Sequence, residues 1–404
     1  MIRSFLRTIF ALIALAALDV AADDWPHWRG PNFNGISNEK NWLSSWPAAG
    51  PPVAWKAAVG IGFSSVSVVN DRVFTMGYVD EKDVVWCLDA ATGKVLWKHA
   101  YDADLGDKFF EGGPTSTPTL AGEVVYTSSR WGDVFCFEAA SGKIRWSKNL
   151  QKETGLRIPD WGFAGSPVVH ENLLLLNLGD AGIAVEKETG KLVWTSANKD
   201  AGYSTPLRFA RNGETFAILG SAKSFVAVNA KTGKESWRIP WPTQYGVNAA
   251  DPVLDGDLMF ISSGYGKGAG LFKLSGAQSE AVWQNKELRT QMNPSVLLNG
   301  FLFGIDGDTT SKASLKCLDF KTGVLKWAES GIGSGALMAA DGKLIVLTDR
   351  GELIVAEASP ERFKPIARTQ VLGGKCWTVP VLANGHIYCR NAQGNLVCLD
   401  VQAK

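Results

Sequence analysis

The chain has 404 residues, of which 46% are hydrophobic, so it can bury a sizeable core. Its 41 basic and 40 acidic side chains are nearly balanced, and no basic run stands out. Nucleic acids and anionic membranes therefore have no electrostatic support as partners.

Residues 1–22 have the pattern of a secretory signal peptide, with two arginines before a short apolar run. The run covers residues 9–18, which is too short to span a bilayer. Small residues at its end predict cleavage after Ala22, and no cysteine follows that could carry a lipid. We expect an exported protein, periplasmic or secreted, with no transmembrane segment.

Residues 23–50 follow as a Pro- and Gly-rich stretch that contains DWPHWRGPNFNG. Such a composition predicts an extended segment rather than a helix or a sheet of its own. We expect its aromatic side chains to pack it onto the domain formed by residues 51–404.

Seven tryptophans recur through residues 51–404 at spacings of 42 to 49 residues. Five of them end one phrase: ATGKVLW (91–97), ASGKIRW (140–146), ETGKLVW (188–194), KTGKESW (231–237) and KTGVLKW (321–327). Trp55 and Trp283 keep the spacing without the full phrase. A repeat of this length with strand-like flanks predicts a β-propeller. The glycine should form the turn between the third and fourth strands, and each tryptophan should pack on the neighbouring blade.

A second set of turns counts the blades independently, because each should join the first and second strands of one blade. Most are Asn-Gly or Asp-Gly pairs, which favour two-residue hairpins. They fall at residues 70–71, 121–122, 171–172, 212–213, 255–256, 299–300, 341–342 and 384–385. The sequence therefore predicts an all-β, eight-bladed propeller of four-stranded antiparallel blades.

The eighth blade lacks a fourth strand at the C-terminus, where the chain stops at VCLDVQAK. PPVAWKAAV (51–59) has the character to supply that strand. A ring closed by strands from both ends leaves no open sheet edge.

The two faces of such a ring should differ, because antiparallel strands alternate their ends. The first–second and third–fourth turns are short throughout. The other face carries the long connections at about residues 99–115 and 147–165, together with the loops SGYGKGAG and DGDTTSKAS. Long loops on a rigid scaffold are where binding usually occurs, so we place any site on this face.

Eleven polar or aromatic residues of these loops are candidate binding residues; alternatively, they cap strands and line a water-filled channel. They are Arg130, Trp131, Asp160, Trp161, Tyr203, Gln244, Tyr245, Asn248, Gln291, Asn293 and Trp377.

Four of the six cysteines share one repeat position and should act as small buried hydrophobes. They are Cys87, Cys136, Cys317 and Cys398. If residues 393–394 form a two-residue turn, Cys389 lies opposite Cys398 at a distance that permits a disulfide; whether the bond forms is left open.

Motifs that would assign chemistry are absent from the sequence. The loop SGYGKGAG has no GK[ST] and no following helix, so a hairpin loop is the better interpretation than a phosphate site. Asp306 and Asp308 could ligate calcium, but the EF-hand spacing is missing. The four histidines form no zinc signature, and there is no GxSxG sequence. No catalytic residue and no metal ligand is assigned.

The repeated phrase, seen in LDAATGKVLW (88–97) and FEAASGKIRW (137–146), resembles the docking repeat of PQQ-like (quinoprotein) propellers. The chain looks most like BamB-related repeat proteins, and the match covers about residues 51–404. This resemblance implies a non-catalytic module that binds a protein or polymer partner through its long-loop face. We expect it to act as a monomer.

The same superfamily also implies an alternative, a PQQ- and calcium-dependent alcohol dehydrogenase of the polyvinyl-alcohol type. Asp160, Asp306 and Asp308 could then serve as base or calcium ligands. Such enzymes typically carry adjacent cysteines beside the cofactor, and this sequence has no Cys-Cys pair.

Overall fold

The computed structural model describes residues 23–275, 278–309 and 312–403. The predicted signal peptide, residues 1–22, lies outside them. The first two strands are β1 (Ile36–Ser37) and β2 (Val53–Ala58). Twenty-eight strands then follow in seven groups of four, and three more end the chain.

Each group of four is one antiparallel blade, with its strands in chain order from the first to the fourth. Blade 1 holds β3 (Ser67–Val69), β4 (Arg72–Val79), β5 (Lys82–Asp89) and β6 (Val95–Asp102). Blade 2 holds β7 (Thr119–Ala121), β8 (Val124–Ser128), β9 (Asp133–Glu138) and β10 (Ile144–Asn149). Blade 3 holds β11 (Val168–His170), β12 (Leu173–Leu176), β13 (Ile183–Glu186) and β14 (Leu192–Thr195). Blade 4 holds β15 (Leu207–Arg211), β16 (Glu214–Ser221), β17 (Ser224–Asn229) and β18 (Glu235–Pro240).

The remaining blades have the same strand order. Blade 5 holds β19 (Val253–Asp255), β20 (Leu258–Ser263), β21 (Gly268–Ser275) and β22 (Gln278–Asn285). Blade 6 holds β23 (Val296–Leu298), β24 (Phe301–Asp306), β25 (Ser314–Asp319) and β26 (Leu325–Glu329). Blade 7 holds β27 (Ala336–Ala340), β28 (Lys343–Leu347), β29 (Glu352–Glu357) and β30 (Lys364–Gln370). Blade 8 holds β31 (Val381–Ala383), β32 (His386–Arg390) and β33 (Asn395–Asp400).

Strand β2 completes blade 8 by pairing antiparallel with β33, so the ring closes with strands from both ends as predicted. The first strands of blades 1, 2 and 3 contact one another in turn around the central channel, as do those of blades 6 and 7. Two short helical segments, α1 (Leu150–Thr154) and a 3₁₀ turn (Gln244–Gly246), lie in the connections between blades. The eight-bladed fold predicted from the repeats is therefore confirmed.

The docking tryptophans join neighbouring blades through one recurring contact. The indole of Trp97 donates a hydrogen bond to the carbonyl of Ala139 at 2.9 Å, and its ring covers Gly142 of the next blade. Trp146 repeats this with Lys187 (2.8 Å) and Gly190. Only glycine fits beneath the ring, since a Cβ at either position would lie within 3 Å of it and φ is near +70°.

Blade 7 departs from the repeat, because Ala367 occupies the register position at which other blades carry the docking tryptophan. The chain covers this site with its N-terminal segment. Trp42 is buried in the hydrophobic cluster that contains Val355 of blade 7 and Val381 of blade 8, and Gly50 lies against Thr369.

Two predicted turns are wrong by one residue. The pairs Ala121–Val124 and Asp255–Leu258 place these turns at residues 122–123 and 256–257. The first turn residue has a positive φ in every blade, and in these two blades glycine takes that position, with φ of 61° at Gly122 and 59° at Gly256. The glycine therefore begins the turn instead of ending it.

The predicted alignment of Cys389 with Cys398 is also wrong. Cys389 pairs with Val397, and Cys398 with Tyr388, because four residues rather than two separate β32 from β33. All six cysteines are free and buried. Cys87, Cys136, Cys317 and Cys398 each lie opposite a docking tryptophan, which confirms their equivalence.

Residues 23–50 form a strap that crosses the channel, and they reach the ring from the face of the short turns. Trp25 exchanges backbone hydrogen bonds with Val68 of blade 1, and β1 pairs in parallel with β27 of blade 7. The strap also meets Leu120 of blade 2, Arg208 of blade 4, Asp251 of blade 5, Ser295 of blade 6 and Gly385 of blade 8. It therefore ties the innermost strands together as well as filling the channel.

The contact between the strap and Gly385 is pH-sensitive, because its acceptor is the carboxylate of Glu39. Its carboxylate accepts hydrogen bonds from the backbone N of Gly385 at 3.0 and 3.1 Å. Burial raises the pKa of Glu39 to about 7, against the effect of this bond. Because the folded carboxyl binds its proton more tightly, its contribution to stability is full below about pH 4.5 and is lost as the pH rises through about 7.

We therefore expect the melting temperature of Glu39→Gln to rise relative to that of the wild type as the pH is raised from 5 to 8. Melting curves at several pH values measure this, with the exposed Glu280→Gln as control. A difference from the wild type that does not change with pH would contradict the assignment.

Candidate functional site

The long-loop face opens into a cavity of about 560 Å³ around the central channel, which we call the funnel. Its floor is Trp28 of the strap, and its walls are the connections between blades. Nine aromatic residues line it: Trp28, Phe63, Phe109, Phe110, Trp161, Tyr203, Tyr245, Tyr265 and Trp377. A volume of this size lies within the range of small-molecule sites, about 300–1,000 Å³.

The aromatic rings form two walls. On the side of blades 8, 1 and 2, Phe63 stacks on Trp377 with centroids 5.5 Å apart and lies 5.7 Å from Phe110. The other wall is formed mainly by the connections that lead into blades 3, 4 and 5. There Trp161 meets Tyr203 edge-on at 6.0 Å, and Tyr245 meets Tyr265 edge-on at 5.4 Å. Phe109 connects the two walls, since its ring centre lies 6.5 Å from that of Trp161.

Three funnel aromatics have a backbone conformation that is rare outside glycine. The φ angles are 67° at Phe109, 65° at Tyr245 and 52° at Tyr265. Phe109 is 83% exposed and Tyr245 61%, so burial does not explain why these rings are held in place. Strained residues of this kind cluster at ligand-binding sites.

Polar side chains join the segments that lead into the innermost strands of blades 1 to 5. The backbone N of Ser65 donates to Thr117 Oγ1 (3.2 Å), Thr117 N to Ser166 Oγ (2.9 Å), and Ser166 N to Thr205 Oγ1 (3.0 Å). The series ends where Thr205 N donates to Asp251 Oδ1 at 2.7 Å. Four of these five residues, all except Ser65, immediately precede a proline. This proline is the one signal in the sequence that marks the series.

Asp251 joins this series to the strap at the floor of the funnel. Its Oδ2 accepts a hydrogen bond from the indole N of Trp28 at 2.6 Å. Burial raises the pKa of Asp251, and the nearby positive charge of Arg29 opposes that rise. Arg29 is itself buried, and burial lowers its pKa to about 10. The aspartate is therefore engaged on both oxygens.

Blade 6 contributes two amides to the funnel. Gln291 donates from Nε2 to the hydroxyl of Tyr265 at 2.8 Å and accepts from the backbone N of Thr309 at 2.8 Å. Asn293 donates from Nδ2 to the carbonyls of Gly335 (3.0 Å) and Trp377 (2.9 Å). Both amides hold the aromatic walls in place.

The rim carries charges that cancel one another. Lys375 pairs with Glu111 at 2.8 Å, and its ammonium group lies 4.2 Å from the centre of the Trp377 ring. Lys108 lies 3.5 Å from Asp160 and 5.7 Å from the ring centre of Phe109. Two ring faces of the funnel are thus already in contact with cations of the chain itself.

The structure divides the eleven predicted binding residues. Those that line the funnel are Asp160, Trp161, Tyr203, Tyr245, Gln291, Asn293 and Trp377. Arg130 and Asn248 are buried behind the wall, while Trp131 and Gln244 lie outside the funnel lining.

The two buried residues hold loops in place. Arg130 donates to the carbonyls of Leu105, Gly106 and Trp161 at 2.8 to 3.0 Å. Asn248 donates to the carbonyls of Ser221 and Trp241, and its Oδ1 accepts from Ser263. They position the funnel without facing it.

Sequence reasoning missed the other lining residues, among them Trp28, Phe63, Phe109, Phe110, Asp251 and Tyr265. Trp28 lies far along the chain from the loops that it meets, so no local pattern places it there.

Of the acids considered for calcium or catalysis, Asp306 is buried in an ion pair network. It lies 2.7 Å from Arg289 and 2.9 Å from Lys316. Burial opposes the charge, but hydrogen bonds from these two cations keep the pKa of Asp306 below its usual value. Asp160 and Asp308 sit in separate loops. Within the described part of the chain, no group of three acidic, histidine or cysteine side chains is arranged to hold a metal ion.

The ring with its docking tryptophans and its central funnel defines a PQQ-like β-propeller. A sequence model of the family described as outer membrane protein assembly factor BamB matches residues 81–329, more than half of the chain. The chain belongs to this family. No curated protein sequence matches it significantly.

Solved structures share the fold at low sequence identity. BamB from Moraxella catarrhalis superposes with a TM-score of 0.64 at 13% identity, covering 85% of this chain and 99% of that one. Quinohemoprotein alcohol dehydrogenase from Comamonas testosteroni gives 0.71 at 13%, covering 95% and 81%. A europium-containing methanol dehydrogenase gives 0.68 at 11%, covering 93% and 89%. At such identities the likeness concerns the fold alone. No helix among the described residues is long and apolar enough to cross a membrane.

Proposed function

We propose that this chain is an exported, non-catalytic binding module that holds a protein or polymer partner at its long-loop face. The observation that carries the proposal is the funnel, a blind aromatic cavity with strained rings at its mouth. Most of its polar side chains already make hydrogen bonds or ion pairs that hold the walls in place. Family membership with an assembly factor supports a binding role, and the pattern of residues 1–22 supports export.

The alternative is a PQQ-dependent alcohol dehydrogenase, which the fold likeness to a quinohemoprotein dehydrogenase favours. Pyrroloquinoline quinone carries three carboxylates, whereas the described lining residues include Asp160 and Asp251 and no lysine or arginine. A calcium ion needs six to eight oxygen ligands. Asp251 already accepts a hydrogen bond on each oxygen, and Asp306 is held by two cations. The residues present do not fit this cofactor pair.

Titration of the purified mature protein with PQQ and calcium decides between the two classes. We expect no saturable change in quinone absorbance and no alcohol-dependent dye reduction, because the described lining offers no lysine or arginine to pair with the carboxylates of the cofactor. A quinoprotein alcohol dehydrogenase serves as the positive control. Saturable binding with turnover would overturn the non-catalytic proposal and make Asp160, Asp306 and Asp308 the first residues to mutate.

The location of the site is tested with the full-length chain produced in cells. A photo-crosslinking amino acid at Tyr245, at the mouth of the funnel, should give adducts with a partner. The same amino acid at Glu123, on the short-turn face, should give none. Equal adducts at both positions would place binding elsewhere.

A further inference from the structure

We propose that the funnel binds the end of a neutral carbohydrate chain. This inference rests on the proposed binding function and specifies its ligand. Three properties of the funnel support the inference. They are the charge of its lining, the hydrogen bonding of its backbone carbonyls and the arrangement of its aromatic rings.

The charge of the funnel favours a neutral ligand. Its two lining carboxylates are compensated, Asp160 by Lys108 and Asp251 by Arg29 together with two N–H donors. A cationic ligand would seek aromatic faces. The faces of Trp377 and Phe109 already carry the ammonium groups of Lys375 and Lys108, so a second cation would be repelled.

The backbone of the walls is not free to pair with an extended peptide. The carbonyl of Trp161 accepts from Arg130, and that of Trp377 accepts from Asn293. The carbonyls of Leu105 and Gly106 also accept from Arg130. Peptide recognition by strand addition depends on main-chain hydrogen bonds, and these four carbonyls already accept them from side chains of the protein. Recognition must therefore come from ring faces and side-chain polar atoms.

Aromatic rings around one cavity, with hydroxyl and amide groups among them, match the chemistry of a pyranose. The carbons of the Phe63–Trp377 pair, both of them lining residues, offer apolar contacts for the C–H groups of a sugar. The Oδ1 of Asn293 accepts no hydrogen bond from the described residues, and the buried hydroxyl of Thr115, another lining residue, has no partner there. The phenol groups of Tyr245 and Tyr265 can both donate and accept.

The strap decides that a chain end, and not its middle, is bound. Trp28 closes the floor through its bond to Asp251, so a polymer cannot pass through the channel. A ligand must enter from the long-loop face and stop at this indole.

The test is calorimetric titration of the mature full-length protein with cellohexaose, xylohexaose and N-acetylchitohexaose. We expect saturable binding of at least one of them, with an affinity that does not change with salt because the ligand is uncharged. Trp377→Ala and Tyr245→Ala should weaken it by about tenfold or more, as truncation of aromatic residues that a ligand covers does. Tyr78→Ala, a tyrosine outside the funnel lining, should leave it unchanged. Melting curves show that each variant is folded.

Absence of binding to all three oligosaccharides would overturn the carbohydrate assignment, as would equal loss in Tyr78→Ala. A protein adduct at Tyr245 without glycan binding would do the same while leaving the binding module intact. The binding module itself fails only if PQQ turnover is found or if the crosslinks do not favour the long-loop face.

Discussion

Replacing Trp146 with alanine should lower the free energy of unfolding by about 3–5 kcal/mol. Its side chain is buried, its indole N donates to the carbonyl of Lys187 at 2.8 Å, and its ring covers Gly190 of the next blade. Removing it leaves a cavity between blades 2 and 3 and deletes the shorter of two hydrogen bonds to this carbonyl, to which the hydroxyl of Tyr126 also donates at 3.2 Å. Urea denaturation followed by fluorescence measures the change.

Trp161→Ala is the matched control, since this tryptophan lines the funnel instead of joining blades. We expect its free energy of unfolding to change by about 1 kcal/mol or less, because the loop stays anchored through the bond from Arg130 to its backbone carbonyl. The affinity for the ligand of the funnel should fall instead. Equal large losses of stability in both variants would refute the separation of scaffold from site.

Asp251→Ala should also lower the free energy of unfolding by about 3–5 kcal/mol, because each buried N–H left without its acceptor costs about 1–3 kcal/mol and a buried cation loses a compensating charge. Two groups lose their acceptor together, the indole N of Trp28 and the backbone N of Thr205, and the buried guanidinium of Arg29 loses a nearby negative charge. The same change loosens the floor of the funnel, so glycan affinity should fall as well.

Two variants make the result specific. Asp255→Ala removes an exposed carboxylate from the end of β19, the strand that follows Asp251, and its unfolding free energy should stay within about 0.5 kcal/mol of the wild type. Asp251→Asn keeps one acceptor but turns an amide donor toward either Trp28 or Thr205, and should fall between the two. If Asp251→Ala proved as mild as Asp255→Ala, the strap would not depend on this contact.

The architecture followed from local patterns that repeat along the chain. The phrase ending in Trp97 or Trp146, and the turn that begins each second strand, are written in consecutive residues, so one blade explains the others. Ring closure by residues 53–58 followed because the last repeat lacked a strand. Errors arose where one residue decides the register, as at Gly122 and between Cys389 and Cys398.

The sequence predicted only part of the funnel, because its residues do not recur at a fixed spacing along the chain. Seven of its residues were suggested by loop position, but Arg130 and Asn248 of the same loops turned inward to bond to carbonyls. Trp28 and Asp251 are 223 positions apart and meet only after the ring has closed. The sequence by itself determined the eight-bladed ring, since each blade is specified within its own stretch of chain. Only the tertiary structure decided the site, since single residues from many blades and from the strap converge there through contacts that the repeat does not encode.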